Sequence, residues 1–346
     1  MAPWRMVISV VLMASFVAAH DADWWAPVKV EMAGSNELHL QVDGFAAPLR
    51  LGPSSVVRPG LVVWHHTDMG VKRHQLNSSR LWEARDQPCL FAGNRAVAQA
   101  HVLMLDAEGQ RVQAMMHVDN RVLHVEPHNA THHHLFWRHT AVARELDARL
   151  RRSSEAGFCG LAQSRAPPES RDPQVLAARA AEGRWRRSSC TGKCTCPMLL
   201  MADHRYHQAM GGDVDVTVGL MIQALSDVDV IYRNSAFGGT TNYGLSVAEV
   251  RVYASPQAAG NPVAKSAYTA DAFLEAYSTS AYGANVCLAH MFTNYDFSGI
   301  LGLAWVGTDT GAGICDTRGY NTGFTTVSTF GSRVSSAVAQ LVLAHE

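Results

Sequence analysis

The second half of the chain alternates between apolar runs and helical spacing. Residues 198–202 form a continuous apolar run, typical of a buried strand. Apolar residues then recur at helical spacing over 218–232, with polar residues between them. Residues 247–253, 270–282 and 286–292 predict a second strand, a second helix and a third strand. This order favours an α/β fold with a mostly parallel twisted sheet flanked by helices.

A last helix is predicted from about Ser335 to the end of the chain. Val338, Leu341, Val342 and His345 fall at positions i, i+3, i+4 and i+7, which places them on one helix face. We expect this face to pack on the body of the domain, with His345 at its end.

The first half has a different pattern. Short alternating runs, such as residues 38–42 and 100–104, predict strands and therefore a β-rich domain. The run His132-His133-His134 lies in this half. Consecutive residues of a regular element cannot all point at one ion, so we predict a surface polar run rather than a metal site.

The N-terminus predicts a secretory signal peptide over residues 1–19. It combines a positive n-region, a short apolar run and a small-residue cleavage site at 17–19. The run is too short to span a bilayer, and no later stretch reaches the roughly 18 apolar residues that a transmembrane helix needs. We therefore expect a secretory-pathway or extracellular location. Two acceptor patterns for N-glycosylation, at Asn77 and Asn129, agree with it.

Composition changes near residue 145. Residues 144–187 are rich in Arg, Ala, Ser and Glu and lack a periodic apolar pattern, which predicts a connecting segment. The segment ends at Arg184-Trp185-Arg186-Arg187, which fits R-x-R-R, the form cut by proprotein convertases through acidic subsites. A solvated basic turn is the alternative. The position between two domains of a secreted chain favours cleavage by a convertase.

Composition narrows the function classes. The length of 346 residues allows about two domains, and 47% apolar content supports real cores. A net charge of -1 gives no electrostatic basis for a nucleic-acid partner. The seven cysteines suggest disulfides in an oxidising compartment, and their odd number leaves at least one thiol without a partner inside this chain.

The last two residues, His345 and Glu346, match the opening of the zinc-protease motif H-E-x-x-H. In the complete motif two histidines one helical turn apart hold zinc, and the glutamate activates the metal-bound water. The 346 residues contain only the first histidine and the glutamate. A chance pair is the alternative.

Six blocks in order extend this match over about 150 residues. They are MADHR (201–205), DVIYR (229–233), CLAHMFT (287–293), LGLAWVG (301–307), GIC (313–315) with NTG (321–323), and LAHE (343–346). Together they resemble the catalytic domain of the ADAM metalloproteases, in the subgroup of alpha-secretase (Kuzbanian) and tumour-necrosis-factor converting enzyme.

The resemblance implies a zinc cofactor, with His345 as the first metal ligand and Glu346 as the general base. It also implies a Cys196–Cys287 disulfide, with Cys315 left unpaired. An edge strand would bind extended peptide segments of membrane-protein ectodomains as an added antiparallel strand. That strand comprises Gly302, Leu303, Ala304, Trp305 and Val306.

The first half resembles the prodomain of the same subgroup more loosely, in blocks at 89–93, 125–127 and 158–160. The last block implies a cysteine switch, in which the Cys159 thiolate occupies the open position of zinc. A disulfide between Cys159 and Cys89 is the alternative. Cys190 and Cys194 have no counterpart in the family beyond a possible local pair.

These observations divide the chain into four segments. They are a signal peptide (1–19), a prodomain (20–143), a linker with the cysteine switch and the convertase site (144–187), and the N-terminal part of a truncated catalytic domain (188–346). We expect the precursor of a zinc metalloendopeptidase of the ectodomain-shedding type, inactive as given because the zinc motif is incomplete, and related to single-pass membrane proteins. The alternative is a secreted, non-enzymatic binding or inhibitory protein.

Overall fold

The computed structural model divides into an N-terminal half (24–138) and a C-terminal half (194–346). The described residues within these halves are 24–34, 36–42, 47–54, 61–91, 95–106, 108–118, 121–129, 132–138, 194–235, 242–278, 286–305, 313–316 and 318–346.

The described N-terminal half is built from strands. They are β1 Trp24–Ala26, β2 Val28–Gly34, β3 Glu37–Val42, β4 Leu49–Pro53, β5 Val62–Thr67, β6 Gly70–His74, β7 Leu81–Phe91, β8 Arg95–Met104, β9 Val112–Val118, β10 Arg121–Pro127 and β11 His133–Trp137. Nine of them form an antiparallel sheet in the order β1-β11-β10-β9-β8-β7-β4-β3-β2. Alternate apolar side chains of these strands pack into one core. The strands predicted at 38–42 and 100–104 are confirmed.

The histidine run at 132–134 corrects one expectation. His132 is exposed, but His133 is buried in β11, and its Nε2 atom accepts a hydrogen bond from the Val112 N–H at 3.1 Å. Burial lowers the pKa of His133 to about 4. The prediction of a surface run was therefore wrong for His133, because successive residues of a strand point to opposite faces and one of them enters the core.

The described C-terminal half alternates between strands and helices. Its elements are β12 Cys194–Ala202, α1 His204–Ala209, α2 Val214–Asn234, β13 Tyr243–Tyr253, α3 Ala270–Ser278, β14 Leu288–Thr293, β15 Gly302–Ala304, β16 Thr322–Thr326, β17 Ser328–Thr329, β18 Ser332–Arg333 and α4 Ser336–His345. The order predicted from the apolar pattern is confirmed. The predicted continuation of α3 to 282 lies outside the described residues. No helix among those described is long and apolar enough to cross a membrane.

A seven-stranded sheet of order β15-β16-β14-β12-β13-β5-β6 organises this half. The five inner strands pair in parallel, and the terminal strands β15 and β6 are antiparallel to their neighbours. Alternate side chains of β12 lie on opposite faces of the sheet. Met198 and Leu200 pack with α2 on one face, and Leu199 and Met201 pack with α3 on the other. Burial on both faces explains why residues 198–202 of β12 are all apolar.

Two strands of this sheet come from the N-terminal half. The hairpin of β5 and β6 adds to the sheet beside β13, with Val62 opposite Glu249 and His66 opposite Tyr253. The sheet is therefore shared between the two halves of the chain.

The halves also meet at helix α2. A Cβ atom at Gly219 would lie 2.5 Å from Cδ1 of Leu103, so this mid-helix glycine allows β8 to approach the helix closely. One turn further, the Gln223 side chain donates to the carbonyl oxygens of His101 (3.2 Å) and Gln113 (3.1 Å). The Gln223 side chain is buried, and its two hydrogen bonds fix the N-terminal sheet on α2.

Candidate active site

Helix α4 carries the two residues of the predicted zinc motif. Its Val338 and Val342 side chains are fully buried, and the Tyr232 hydroxyl donates to the Ala344 carbonyl oxygen at 3.0 Å. The Glu346 N–H donates to the Val342 carbonyl oxygen at 3.0 Å, which closes the last helical turn. The Tyr232 hydrogen bond thus ties the last turn of α4 to helix α2.

His345 itself is exposed, and Leu341 is only half-buried. The expectation that His345 ends the buried face was therefore wrong. The buried side of α4 follows Val338 and Val342, and the His345 side chain lies on the other, solvent-facing side of the last turn.

The Glu346 side chain lies beside the terminal strand of the sheet. A Cβ atom built on Gly302 would lie 2.8 Å from both Cγ and Oε1 of Glu346 and 2.5 Å from Cγ1 of Val342. Only a glycine at this position leaves room for α4 to pack so closely on β15. The carboxylate and the predicted substrate strand, which are far apart in sequence, are therefore neighbours in the fold.

The strand β15 has one hydrogen-bonded neighbour among the described strands. Leu303 is opposite Phe324 of β16, and the indole Nε1–H of Trp305 donates to the Ser278 hydroxyl at 2.8 Å. The Trp305 ring also meets Tyr320 edge-on at 5.2 Å between centroids. Gly302 to Ala304 form the strand and Trp305 follows it, whereas Val306 lies outside the described residues.

A cavity of about 800 Å³ opens between the end of α4 and the amino ends of the parallel strands. Glu346, Trp305, Tyr232 and the Cys196–Cys287 disulfide are among its lining groups. His290 of β14 also lines the cavity. Burial lowers the pKa of its ring to about 3, and its Nε2 atom lies 2.9 Å from the Thr325 hydroxyl. A neutral, hydrogen-bonded histidine in this position is part of the core.

The Cys196–Cys287 disulfide inferred from the resemblance is present, with the two Cα atoms 5.3 Å apart. It joins β12 to the residue before β14. Cys315 has a free, exposed thiol, and its N–H donates to the Cys287 carbonyl oxygen at 2.8 Å. The third cysteine therefore lies directly beside the bridge.

The remaining predicted site residues fall in two groups. Asn77 and Asn129 are exposed, as a glycan acceptor must be, and their modification stays a prediction. Cys159 and the cleavage residues Arg184, Arg186 and Arg187 lie outside the described residues.

The number of ligands that a catalytic zinc ion needs can be compared with the side chains that the described residues supply. In the described part of the chain, no group of three or more His, Cys, Asp or Glu side chains is placed to hold a metal ion. His345 and Glu346 offer one imidazole and one carboxylate, whereas a catalytic zinc site takes three protein ligands. The described residues therefore do not form a zinc site by themselves.

Sequence reasoning missed a buried carboxyl group near α1. Asp203 caps the helix through the Tyr206 N–H at 2.8 Å and accepts from the Thr293 hydroxyl at 2.6 Å. Burial raises the pKa of Asp203 to about 6. Its position directly before a helix was the available signal, since aspartate is a preferred N-cap.

Comparison with known proteins identifies what this arrangement is similar to. Residues 214–346 match the model of metallo-peptidase family M12B, reprolysin-like. Disintegrin and metalloproteinase domain-containing protein 10 of Xenopus laevis is 30% identical over 177 residues, which cover 47% of this chain and 24% of the relative. The human protein of the same name is also 30% identical over 177 residues, covering 47% and 23%. The resemblance to the ADAM metalloproteases is thereby confirmed.

Two further matches set the limits of this comparison. The Caenorhabditis elegans homologue of that relative is 28% identical over 186 residues, covering 44% of this chain and 20% of the homologue. The chain thus spans at most about a quarter of the length of the curated relatives it matches. The crystal structure of metalloproteinase-II from Bacteroides fragilis covers 97% of this chain and 82% of its own, with 10% identity and a TM-score of 0.33, which is too low to support an inference.

Proposed function

We propose that this chain, whose residues 214–346 match the reprolysin-like model of metallo-peptidase family M12B, is part of the precursor of a zinc-dependent endopeptidase of the secretory pathway. In this proposal residues 20–143 are the prodomain, 144–187 the linker, and 188–346 the N-terminal part of a metzincin-type catalytic domain. The complete enzyme would shed the ectodomains of membrane proteins.

One observation carries the proposal. The Glu346 carboxylate lies against Gly302, at the start of the terminal strand of the sheet. A general base must lie within hydrogen-bond reach of the water or substrate group whose proton it takes. A peptide bound along β15 would lie next to Glu346, so base and substrate strand are close enough for hydrolysis.

The two motif residues take different roles. In the complete enzyme His345 would be the first zinc ligand, and Glu346 would take a proton from the attacking water and pass it to the leaving amine. Zinc, when bound, supplies a Lewis acid that makes water nucleophilic near neutral pH. The exposure of His345 leaves its imidazole accessible to a metal and to further ligands.

Substrate binding follows from the position of β15. Among the described strands only β16 pairs with β15, so the opposite edge of β15 offers main-chain N–H and C=O groups that an extended peptide can use as an added antiparallel strand. Gly302, Leu303, Ala304, Trp305 and Val306 form this subsite in the proposal. Main-chain recognition fits a protease that accepts extended segments of many sequences.

We expect the 346-residue polypeptide itself to bind no stoichiometric zinc and to hydrolyse no peptide. One imidazole does not hold zinc against water, because a working site needs three protein ligands. The same polypeptide continued through a complete H-E-x-x-H-x-x-G-x-x-H sequence should bind one zinc and cleave peptides. Metal analysis and a fluorogenic peptide assay on both polypeptides measure the difference.

Variants of the continued chain separate binding from chemistry. Glu346→Gln should keep zinc and reduce turnover by about 100-fold or more. Gly302→Ala should also reduce turnover, because its methyl group would collide with Val342 and Glu346, whereas Gly52→Ala enters open space and serves as the control. Peptide hydrolysis by the 346-residue polypeptide that disappears in Glu346→Gln would contradict the proposal. A stop codon directly after Glu346 in independent transcripts would favour the secreted binding protein instead.

Processing is expected at two places, after about Ala19 and after Arg187. N-terminal sequencing of secreted material should find both new ends, since a signal peptidase and a convertase act in succession along the secretory pathway. Arg187→Ala should abolish the second end, and Arg171→Ala, in the same linker but outside R-x-R-R, should not. A fragment pattern unchanged by Arg187→Ala rules out the convertase site.

A further inference from the structure

The two halves of the chain meet at a buried polar cluster, which comprises Arg138, Asp227, Gln340, His117 and His124. Asp227 of α2 is fully buried and paired with the Arg138 guanidinium, and the His117 Nε2 atom lies 3.4 Å from its second carboxylate oxygen. Arg138 also donates to the Gln340 side chain of α4 at 3.3 Å. The cluster thus joins the N-terminal sheet to α2 and α4 at once.

His124 occupies the centre of this contact. On β10, Leu123 and Val125 enter the core of the N-terminal sheet, so His124 points to the opposite face. There its ring stacks on Phe136 with 5.4 Å between centroids, and its Nδ1 atom lies 3.3 Å from the Ser336 hydroxyl of α4. The C-terminal half is what covers this face of the strand.

The surroundings of His124 suit only a neutral imidazole. Its exposed fraction is 1%, and within the described part of the chain its Nε2 atom is buried without a hydrogen-bond partner. The charged and titratable groups that face it are Arg138, Asp227 and His117, with Glu126 accepting from the nearby Ser336 N–H at 3.1 Å. A protonated ring would be a cation in a closed space that already holds the Arg138 cation.

We propose that acidification opens the contact of the N-terminal sheet with helices α2 and α4, because His124 binds a proton once the contact is open. The β5–β6 hairpin keeps the halves attached, since its main-chain hydrogen bonds to β13 do not titrate. Opening is therefore a hinged separation of the N-terminal sheet from two helices. It is independent of zinc and of peptide hydrolysis.

Linkage gives the direction and size of the effect. Burial holds the pKa of His124 at about 3 in the closed state, against an ordinary value of 6.5 for an exposed ring. The contribution of His124 to the stability of the closed state is therefore fully present above pH 6.5. It weakens as the pH falls, because only the open state takes up the proton. Between pH 7.5 and pH 5.0 one such site lowers the closing equilibrium constant about 30-fold.

Asp227 acts in the same direction at lower pH. Burial alone would raise the pKa of its carboxyl, but the hydrogen bond from His117 and the charge of Arg138 hold it below the ordinary value. A carboxyl with a depressed pKa stabilises closure above its ordinary titration range and loses that contribution only below about pH 4. The change in closure between pH 7.5 and 5.0 therefore comes from histidine rather than from Asp227. Of the two histidines in the cluster, His124 is the enclosed one.

Hydrogen–deuterium exchange of the 346-residue chain tests the proposal at pH 7.5, 6.0 and 5.0, after correction for the intrinsic exchange rate at each pH. Protection of α4 and of the α2 surface around residue 227 should fall about 30-fold from pH 7.5 to pH 5.0. Protection of β13 and of the N-terminal core strands β3 and β8 should stay unchanged, which distinguishes opening from unfolding.

Two variants identify the proton site. His124→Gln keeps a hydrogen-bonding side chain that does not titrate, and it should reduce the pH dependence to within about 3-fold. His133→Gln is the matched control, because His133 is equally buried but lies within the N-terminal sheet and bonds the Val112 N–H. It should retain the full pH dependence of α4 protection.

Three results would overturn the proposal: α4 protection that does not change with pH in the unaltered chain, a pH dependence that survives His124→Gln, or one that His133→Gln abolishes. Ring titration of the unaltered chain by NMR covers the case in which His124→Gln does not fold. The His124 ring should stay neutral to about pH 4 in the closed state, and a ring that titrates near pH 6.5 without opening rules out the mechanism.

Discussion

Replacing both Cys196 and Cys287 with serine is expected to lower the free energy of unfolding by roughly 4 to 5 kcal/mol. The bridge closes a loop with a sequence separation of 91, and the chain-entropy model gives this value for the freedom that the unfolded chain regains. Urea denaturation of the oxidised protein and of the double variant measures the loss.

The neighbouring thiol decides the design of this experiment. Cys315 is free and its main chain bonds that of Cys287, so Cys196→Ser alone would leave two adjacent thiols able to form a new bridge. The double replacement avoids this. Cys315→Ser is the control and should change stability by no more than about 0.5 kcal/mol, since it removes no cross-link. A double variant as stable as the control would show that the bridge contributes nothing.

Asp227→Ala is expected to lower the free energy of unfolding by about 3 to 5 kcal/mol. It would leave the Arg138 guanidinium in a buried site without its carboxylate, and an uncompensated buried charge is among the costliest defects in a fold. Because the pair joins the two halves, protection of α4 against hydrogen exchange should fall with it. Urea denaturation and exchange measure the two effects.

Two companion variants test the cause. Arg138→Met with Asp227→Leu removes both charges and should recover most of the loss, because a well-packed apolar pair avoids the desolvation cost. Glu37→Ala removes an exposed hydrogen-bond contact with the His39 ring, and should cost no more than about 1 kcal/mol. If Asp227→Ala costs no more than Glu37→Ala, the buried pair does not hold the halves together.

The sequence predicted the elements whose pattern is local. The apolar run of β12 and the helical spacing of α2 each require only about ten to twenty consecutive residues, and both elements are present. The roles of Glu346 as base and of β15 as substrate strand were predicted from ordered family blocks and stay predictions. The contact between Gly302 and Glu346 is a tertiary contact. The family resemblance implies it, but the periodicity of the sequence does not show it.

The missed features depend on distant residues. Asp227 lies 89 positions from Arg138, and in a helical pattern it is indistinguishable from a solvent-facing polar residue. Likewise, Gly219 would count only as a poor helix former until Leu103 is seen against it. The exposure of His345 was missed because spacing assigns a helix face but does not show where the packed body ends.

Because the sheet is shared, one part of it is synthesised well before the strand with which it pairs. The β5–β6 hairpin leaves the ribosome first, and its partner β13 follows about 190 residues later. At usual translation rates of 5 to 20 residues per second, the hairpin waits roughly 10 to 40 s with an open edge. During that interval the nascent chain exposes a strand edge whose partner β13 has not been synthesised. A chaperone that binds nascent chains would protect this edge from pairing with other chains.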